Sequence, residues 1–428
     1  MTFNWFYGRT KSPRIATWTM GLAVAAASVL VACGSSDAAT GAAASAAKCD
    51  STPIKVMTIA SLSGSLATFG NDIPNAAKAV EDAANHGCSL GRKLEVTVCD
   101  DESTPNGAAQ CGTEAKQDGY LAIVGFTEGS GNSDQGAEAA QLPAVFNAWN
   151  TAWDGDSKLS YVSWAQQAQA PATIDVAKAL GVKALTLVGV AVPPLELVAS
   201  FVHPLTTAAG LGYSQVFFSP STTDFSATAA QILGDPTGAI SIYDQSPTSL
   251  VDELKSLGAD FSKRPMIYGE GILSPQIIAS VPALTGAYDV GQVVSAADTS
   301  NPAIAEMRSQ FKAAGISFSS KISLDGVHEW SAVHDLVAAL GAVKNIKSLT
   351  SAKLVKAVVA YGTYDTASEA PFDFQKRASF TNALLKKAYA ADRVFSTKYV
   401  VLKIHNGVEQ PVTGWEDENK AFTLKRGK

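Results

Sequence analysis

Two hydrophobic periods alternate along this chain. Short runs rich in β-branched and aromatic residues, "IKVMTIA", "KLEVTVCD", "YLAIVGF" and "LPAVFNAW", are separated by Ala-rich stretches such as "NAAKAVEDAANHG", which carry apolar residues at helical spacing. A second series follows Trp164, with strands predicted at "VKALTLVGV", "SQVFFSP", "GAISIYD" and "RPMIYGEG" and helices at "PLELVASFVHPLTTAAG" and "SLVDELKSLG". Strands alternating with helices predict mainly parallel sheets covered on both faces, so the fold class is α/β in two series joined around "YVSWAQQ". Two more helices are predicted over residues 302 to 314 and 325 to 344, the second with Val327, Trp330, Val333, Leu336, Val337 and Leu340 at helical spacing. "KYVVLKIHNGVEQPV" then reads as a strand and a hairpin turn at Asn406-Gly407. The two series are alike in pattern rather than in sequence.

Ahead of these elements the pattern is different. Arg9, Lys11 and Arg14 precede an apolar segment from Met20 to Ala32, and no acidic residue occurs before Cys33. That is the layout of a secretory signal, with an apolar part shorter than the roughly 20 residues of a spanning helix. Leu30-Val31-Ala32-Cys33 resembles the lipobox of bacterial lipoproteins, which implies acylation of Cys33 and removal of residues 1–32. An ordinary signal with an incidental cysteine is the alternative. Residues 34–48 are small or polar until Lys48 and read as a flexible tether, so residues 33–53 form a lipidated linker and the folded part starts near Ile54.

Charge and composition narrow the partners. The formal charge of -6 becomes about -9 once three basic residues leave with the signal, which argues against nucleic-acid binding. Of its 428 residues the chain keeps close to 400 without the signal, more than one core supports, and two domains are expected. Cys49, Cys88, Cys99 and Cys111 are an even set in an oxidising compartment, with three possible pairings. Cys99 with Cys111 and Cys49 with Cys88 is the favoured one, because a bond from a strand end to the following helix would clamp the loop between them. No C-x-x-C pair and no histidines at ligand spacing support a metal site.

Catalytic strings fail on context. "GCSLG" at residues 87–91 matches G-x-S-x-G but follows a predicted helix and precedes a strand, the reverse of a nucleophile elbow. His328 and His334 in "HEWSAVH" are six apart, not the four a helical zinc site needs, and each histidine is read as a surface or packing residue. "GSGNSDQG" lacks the third glycine of a dinucleotide loop, and no P-loop occurs. No catalytic residue, metal or cofactor is expected.

In open α/β sheets ligands bind beyond the carboxyl ends of the strands. That rule selects "SLSGSLATFG", "FTEGSG" and "NAWNTAW" in the first series and "AVPPLE", "YDQSP" and "GEGILSP" in the second. These stretches also carry a family resemblance. "IKVMTIASLSGSLATFGNDIPNAAKAVEDAANHG" followed by "GRKLEVTVCDDESTPNGAAQC", with the later "TTDFSA", resembles the branched-chain amino acid and amide receptors of ABC transporters from about Ile54 to Phe374. The resemblance implies a type I periplasmic-binding-protein fold: two lobes, each a mainly parallel sheet flanked by helices, joined by three hinge crossings near Trp164, Ser295 and Phe380. It assigns residues 54–164 and 296–379 to an N-terminal lobe and 165–295 and 380–428 to a C-terminal lobe.

Carried over residue by residue, Phe69 takes the place of a pocket aromatic and Thr127, Glu128, Gly129 and Ser130 that of a carboxylate-holding loop. Ala148, Trp149 and Asn150 match the next loop, Tyr243 an aromatic of the second lobe, and Glu270 the acid that receives an ammonium group. Trp149, the Pro193-Pro194 pair and Glu128 depart from the family pattern, and two acids in one cleft favour a cationic, amide or polyhydroxy ligand over a leucine-like zwitterion. The resemblance implies a monomeric, membrane-tethered, extracytoplasmic solute receptor that closes on its ligand and meets permease subunits. A sensor of the same fold without a transporter, or an exported hydrolase acting through Ser89, are the alternatives.

Overall fold

The computed structural model describes residues 49–125, 132–148, 153, 157–164, 169–191, 193–219, 221–234, 238–243, 248–269, 272–388 and 395–424. Cys33 and the segment before it lie outside this range.

The first sheet is fully parallel. It contains β1 (Asp50–Ala60), β2 (Arg92–Asp100), β3 (Ile123–Val124), β4 (Ala144–Ala148) and β5 (Ser160–Trp164) in the order β2-β1-β3-β4-β5. A short α1 (Ala67–Gly70) and α2 (Ile73–Asn85) follow β1. The turn that ends α2 puts Gly87 at φ +72°, a backbone state that glycine adopts without steric cost. Ser89 in that turn donates its hydroxyl to the Ala84 carbonyl at 2.8 Å, and β2 comes next, so "GCSLG" closes a helix rather than opening one. α3 (Pro105–Gln117) starts at Thr104, whose side chain accepts the Gly107 N–H at 3.0 Å, with proline at the first helical position. α4 (Asn132–Ala140) packs on α3 where Gly112 meets Gly136: a Cβ on Gly112 would lie 1.9 Å from the Gly136 carbonyl oxygen.

The second sheet repeats the same order. After α5 (Gln169–Ala179) come β6 (Ala184–Val190), α6 (Pro193–Ala208), β7 (Gly212–Phe218), α7 (Ser226–Leu233), β8 (Gly238–Tyr243), α8 (Thr248–Ser256), β9 (Met266–Gly269), α9 (Pro275–Ser280) and β10 (Tyr288–Gly291). The parallel strands run β7-β6-β8-β9-β10, which is again second, first, third, fourth, fifth. The likeness in pattern is thus a likeness in topology.

From β10 the chain returns to the first sheet. α10 (Pro302–Ala313) and α11 (Leu324–Gly341) pack on α2, followed by α12 (Ser351–Ala360) and a small antiparallel pair, β11 (Thr363–Tyr364) and β12 (Phe372–Asp373). The apolar stripe predicted for the second of these helices is the core-facing one: Val327, Trp330, Val333, Leu336 and Leu340 are all buried. Next α13 (Ala383–Ala388) lies against α6, and β13 (Lys398–His405) adds antiparallel to β10, with β14 (Val408–Pro411) and β15 (Glu416–Asp417) pairing with β13. Asn406 and Gly407 form the turn between β13 and β14, both at positive φ.

The molecule therefore has two lobes linked by three crossings. The first lies between Trp164 and Gln169, the second follows Gly291, and the third follows β12. The second runs beside the segment between β11 and β12, since Val294 N–H donates to the Ser368 carbonyl at 2.9 Å and Ala370 N–H to that of Gln292 at 2.8 Å. Cys49 is bonded to Cys88 and Cys99 to Cys111, tying β1 to the turn after α2 and β2 to α3.

Two elements differ from the expectation. "YVSW", read as a junction, is β5, the last strand of the first sheet, and β10 was not foreseen at all because four residues between glycine-bearing turns carry too little pattern. Phe146 in β4 has φ +58° at a break in register, and this bulge turns its ring into an aromatic cluster with Tyr364, Phe372 and Phe374 at centroid distances of 5.1, 6.2 and 5.6 Å.

Candidate functional site

A sheet with the order 2-1-3-4-5 opens a crevice where the order reverses, outside the carboxyl ends of its first and third strands. In the first lobe that point lies between Ala60 and Val124, and in the second between Val190 and Tyr243. The topology alone thus marks one ligand-facing edge on each lobe.

The first edge is built on buried polar groups. Ser61 donates to Asp101 Oδ1 at 2.6 Å, and Asp100 Oδ1 accepts the N–H groups of Leu62, Ser63 and Glu102 at 3.0, 3.1 and 2.9 Å. Partial burial works against the charge of Asp100, but these hydrogen bonds, with Ser63 foremost, hold its pKa below the ordinary value. Ser103 Oγ donates to the Ser63 carbonyl at 2.7 Å and accepts from Leu66 N–H at 3.0 Å, so the loop after β1 is latched to the loop after β2. Phe69 is 4% exposed in α1, and Gly70 beside it admits the Ser61 carbonyl 2.0 Å from where a Cβ would stand. Ala148, fully buried at the end of β4, packs with Ala60 and Ile73.

Beneath this edge lies a group that the sequence did not point to. Glu329 on α11 is fully buried; its Oε1 lies 2.7 Å from the Thr58 hydroxyl on β1, which is also 3.0 Å from the Val124 carbonyl. Its Oε2 occupies the space over Gly125, 2.0 Å from the position of a Cβ there. Gly125 has φ +78° and is the last described residue before 126–131. Glu329 therefore props the root of the segment that contains Thr127, Glu128, Gly129 and Ser130.

The adjacent His328 corrects the sequence reading of the histidines. It is fully buried and not a bare packing residue: Nδ1 lies 2.5 Å from Glu369 Oε1, in the segment between β11 and β12 that is bridged to Val293 of the second crossing. Burial opposes the charged ring, but Glu369, Glu329 and Asp325 around it raise its pKa above the ordinary value. One turn of helix thus ties the site edge, through Glu329, to the hinge, through His328.

Further along α11, Asp335 is 1% exposed, and burial pushes its pKa up to about 7 against the pull of His334, with Glu369 adding to the rise. Its folded pKa lies above the unfolded one of about 4, so between those values the folded chain holds a proton that the unfolded chain has lost. This contribution to stability is complete below about pH 4 and disappears as pH rises through the folded value. Asp335→Asn should remove a loss on the order of 4 kcal/mol between pH 4 and 8, read as a flatter dependence of the denaturant midpoint on pH. Parallel pH profiles for the two proteins would contradict the assignment.

On the second lobe, Tyr243 ends β8, half-buried. Burial, then the carboxyl of Asp289, push its hydroxyl up to about 12, against the hydrogen bond with Thr173. At the end of β9, a Cβ on Gly269 would lie 2.8 Å from Gln169 Oε1 and 3.5 Å from the Tyr243 hydroxyl. The start of α5, the end of β8 and the end of β9 thus converge on Gly269, which precedes Glu270. Of the sequence candidates, Phe69 and Ala148 lie on the first edge and Tyr243 on the second. Thr127, Glu128, Gly129, Ser130, Trp149, Asn150 and Glu270 fall outside the described residues. Among the described residues no group of three metal-capable side chains occurs, and no helix is long and apolar enough to cross a membrane.

Two lobes, three crossings and paired edges of this kind define a hinged binding protein. Residues 53–389 match the periplasmic binding protein family, and the chain belongs to it. Solved structures agree on the fold. A fatty acid ABC transporter substrate-binding protein from Thermomonospora curvata superposes with a TM-score of 0.69 at 19% identity, covering 87% of this chain and 95% of its own. A leucine-binding protein from Thermotoga maritima gives 0.67 at 18% identity over 85% and 99% of the two chains. A solute-binding protein of an ABC transporter from R. palustris, in complex with benzoate, gives 0.66 at 18% over 87% and 100%. A search of curated proteins finds no match. Family membership makes the chain an extracytoplasmic binding protein, and the family and these neighbours bind solutes rather than transform them.

Proposed function

We propose that the chain is the solute receptor of an ABC importer, anchored to the membrane through a lipid on Cys33, and that it closes on a small polar molecule held between the two edges. The observation that carries this reading is that each lobe has a built edge at its strand ends: Gln169, Tyr243 and Gly269 converge on one, and Glu329 props Gly125 on the other. Thr127, Glu128, Gly129 and Ser130 contribute hydroxyls and N–H groups from the first lobe, Trp149 and Asn150 shape the floor, and Phe69 supplies an aromatic wall. Glu270, one residue past Gly269, receives an ammonium or amide.

Leucine, fatty acids and benzoate, named for three structural neighbours, all carry a carboxylate. This supports a pocket with one end for a carboxylate or carbonyl oxygen, while the acids of this chain set what lies at the other. The ligand belongs to the amino acids, amides or related polar molecules, and it prefers the closed form because only there do both lobes touch it. Permease subunits recognise that closed form.

Glu270→Gln should weaken ligand binding more than tenfold, since removing one partner of a buried charge costs on the order of 3 kcal/mol. Calorimetric titration of both proteins checks it, and an unchanged affinity would remove Glu270 from the site.

A further inference from the structure

One cavity of the described residues lies away from the cleft. It measures about 480 Å³ and is walled by Asp175 of α5, Leu205 and Ala209 at the end of α6, Leu385 of α13, and Glu418 and Phe422 of the C-terminal segment. The end of α6 immediately precedes the start of β7 at Gly212. The cavity therefore lies toward the amino ends of the strands, on the side of the lobe away from Tyr243.

One of its acids has an unmet acceptor: Glu418 Oε1 is buried with no hydrogen-bond donor. Behind the wall, the fully buried Tyr399 packs its ring 5.9 Å from that of Phe422. Lys178 and Lys420, at the rim, make no ion pair with Asp175 or Glu418 among the described residues. The segment that presents Glu418 is held in place. Its N–H donates to the Thr397 carbonyl at 3.0 Å, Thr397 Oγ1 donates to Asp417 Oδ1 at 3.0 Å, and Asn419 Nδ2 donates to the Ser379 carbonyl at 3.0 Å. This is a built wall with an unmet acceptor.

We propose that the cavity is a second ligand site, separate from the cleft, that takes a small organic ammonium: its head lies between Asp175 and Glu418, and its short apolar body lies against Leu205, Leu385 and Phe422. An ammonium brings three donors and no acceptor, which matches the two carboxylates. A hard divalent cation would need about six oxygens in place of the apolar walls. Burial first, then Asp175 and Asp417, hold Glu418 well above the usual carboxylate range, and burial likewise raises Asp175 against Lys178. Ammonium binding draws a proton off this group, so affinity rises with pH. Besides those acids and Lys178, the charged or titratable groups facing the pair are Tyr399, Glu416 and Lys420.

The test is calorimetric titration of the purified protein with n-butylammonium chloride, with n-butanol as the neutral match. The account expects binding of the ammonium alone, tighter at pH 8 than at pH 5, and weakened about tenfold or more by Glu418→Gln or Asp175→Asn. Ala209→Leu adds bulk to the apolar wall without touching a charge and should weaken binding too, which covers the case of an acid variant that does not fold. Absence of butylammonium binding at millimolar concentration, equal binding by Glu418→Gln and Ala209→Leu, or loss of binding in Glu270→Gln instead would each overturn the proposal.

Discussion

Gly125→Ala is expected to lower stability by about 3–5 kcal/mol and to abolish ligand binding. A Cβ at a left-handed residue costs about 1–2 kcal/mol by itself. Here it would also stand 2.0 Å from Glu329 Oε2 and 2.8 Å from its Cδ, so the carboxylate must leave Thr58 or the backbone must move. Either response displaces a buried charge, which is the larger cost. The displaced backbone leads straight into residues 126–131, so the loss extends to the ligand. A double-mutant cycle separates the two terms: Gly125→Ala combined with Glu329→Ala should be less destabilising than the sum of the single changes, because the clash has gone. Additive effects would mean that Glu329 does not occupy the space over Gly125.

The other large effect belongs to His328. Replacing it by alanine leaves Glu369, which is 4% exposed, with no cationic partner among the described residues, and removing one member of a buried pair costs about 3–5 kcal/mol. The effect depends on pH in a fixed sense. The folded pKa of His328 lies above the ordinary value, so the stabilisation is full below about pH 6.5 and fades as pH rises through the higher folded value. Denaturant midpoints of wild type and His328→Ala should therefore differ most under mildly acid conditions and converge when alkaline. A constant difference across pH would show that the ring acts by packing alone. Because Glu369 is bridged to Val293 on the second crossing, the variant should also alter the balance between open and closed forms.

The fold was legible where the periods were clean. β1 and α2 follow directly from "IKVMTIA" and "NAAKAVEDAANHG", and the core stripe of α11 follows from the spacing of Val327, Trp330, Val333, Leu336 and Leu340. β10 and the bulge at Phe146 were not legible, because four residues hold too few repeats and a bulge depends on the cluster with Tyr364, Phe372 and Phe374 that forms only in three dimensions.

The candidate site divides on the same principle. Tyr243 and Ala148 were assigned by the family resemblance, and both lie at strand ends, the places that the strand pattern also selects. Glu329 and His328 were missed because each works through a distant residue: Thr58 is 271 positions from Glu329, and Glu369 is 41 from His328. In the sequence they are two polar residues inside an apolar helix, and nothing local distinguishes a prop and a hinge tie from solvent-facing side chains.

The most direct test of the central claim is thermal unfolding of the protein against amino acids, amides, aromatic carboxylates, fatty acids, polyamines and sugars. A molecule held between the lobes stabilises by about 4 kcal/mol at 1,000 times its dissociation constant. For domains of this size that moves the midpoint by roughly 2–4 °C per kcal/mol. The account predicts a shift of several degrees for one chemical class, absent in Gly125→Ala. No shift for any class would contradict a receptor that closes on a small polar ligand.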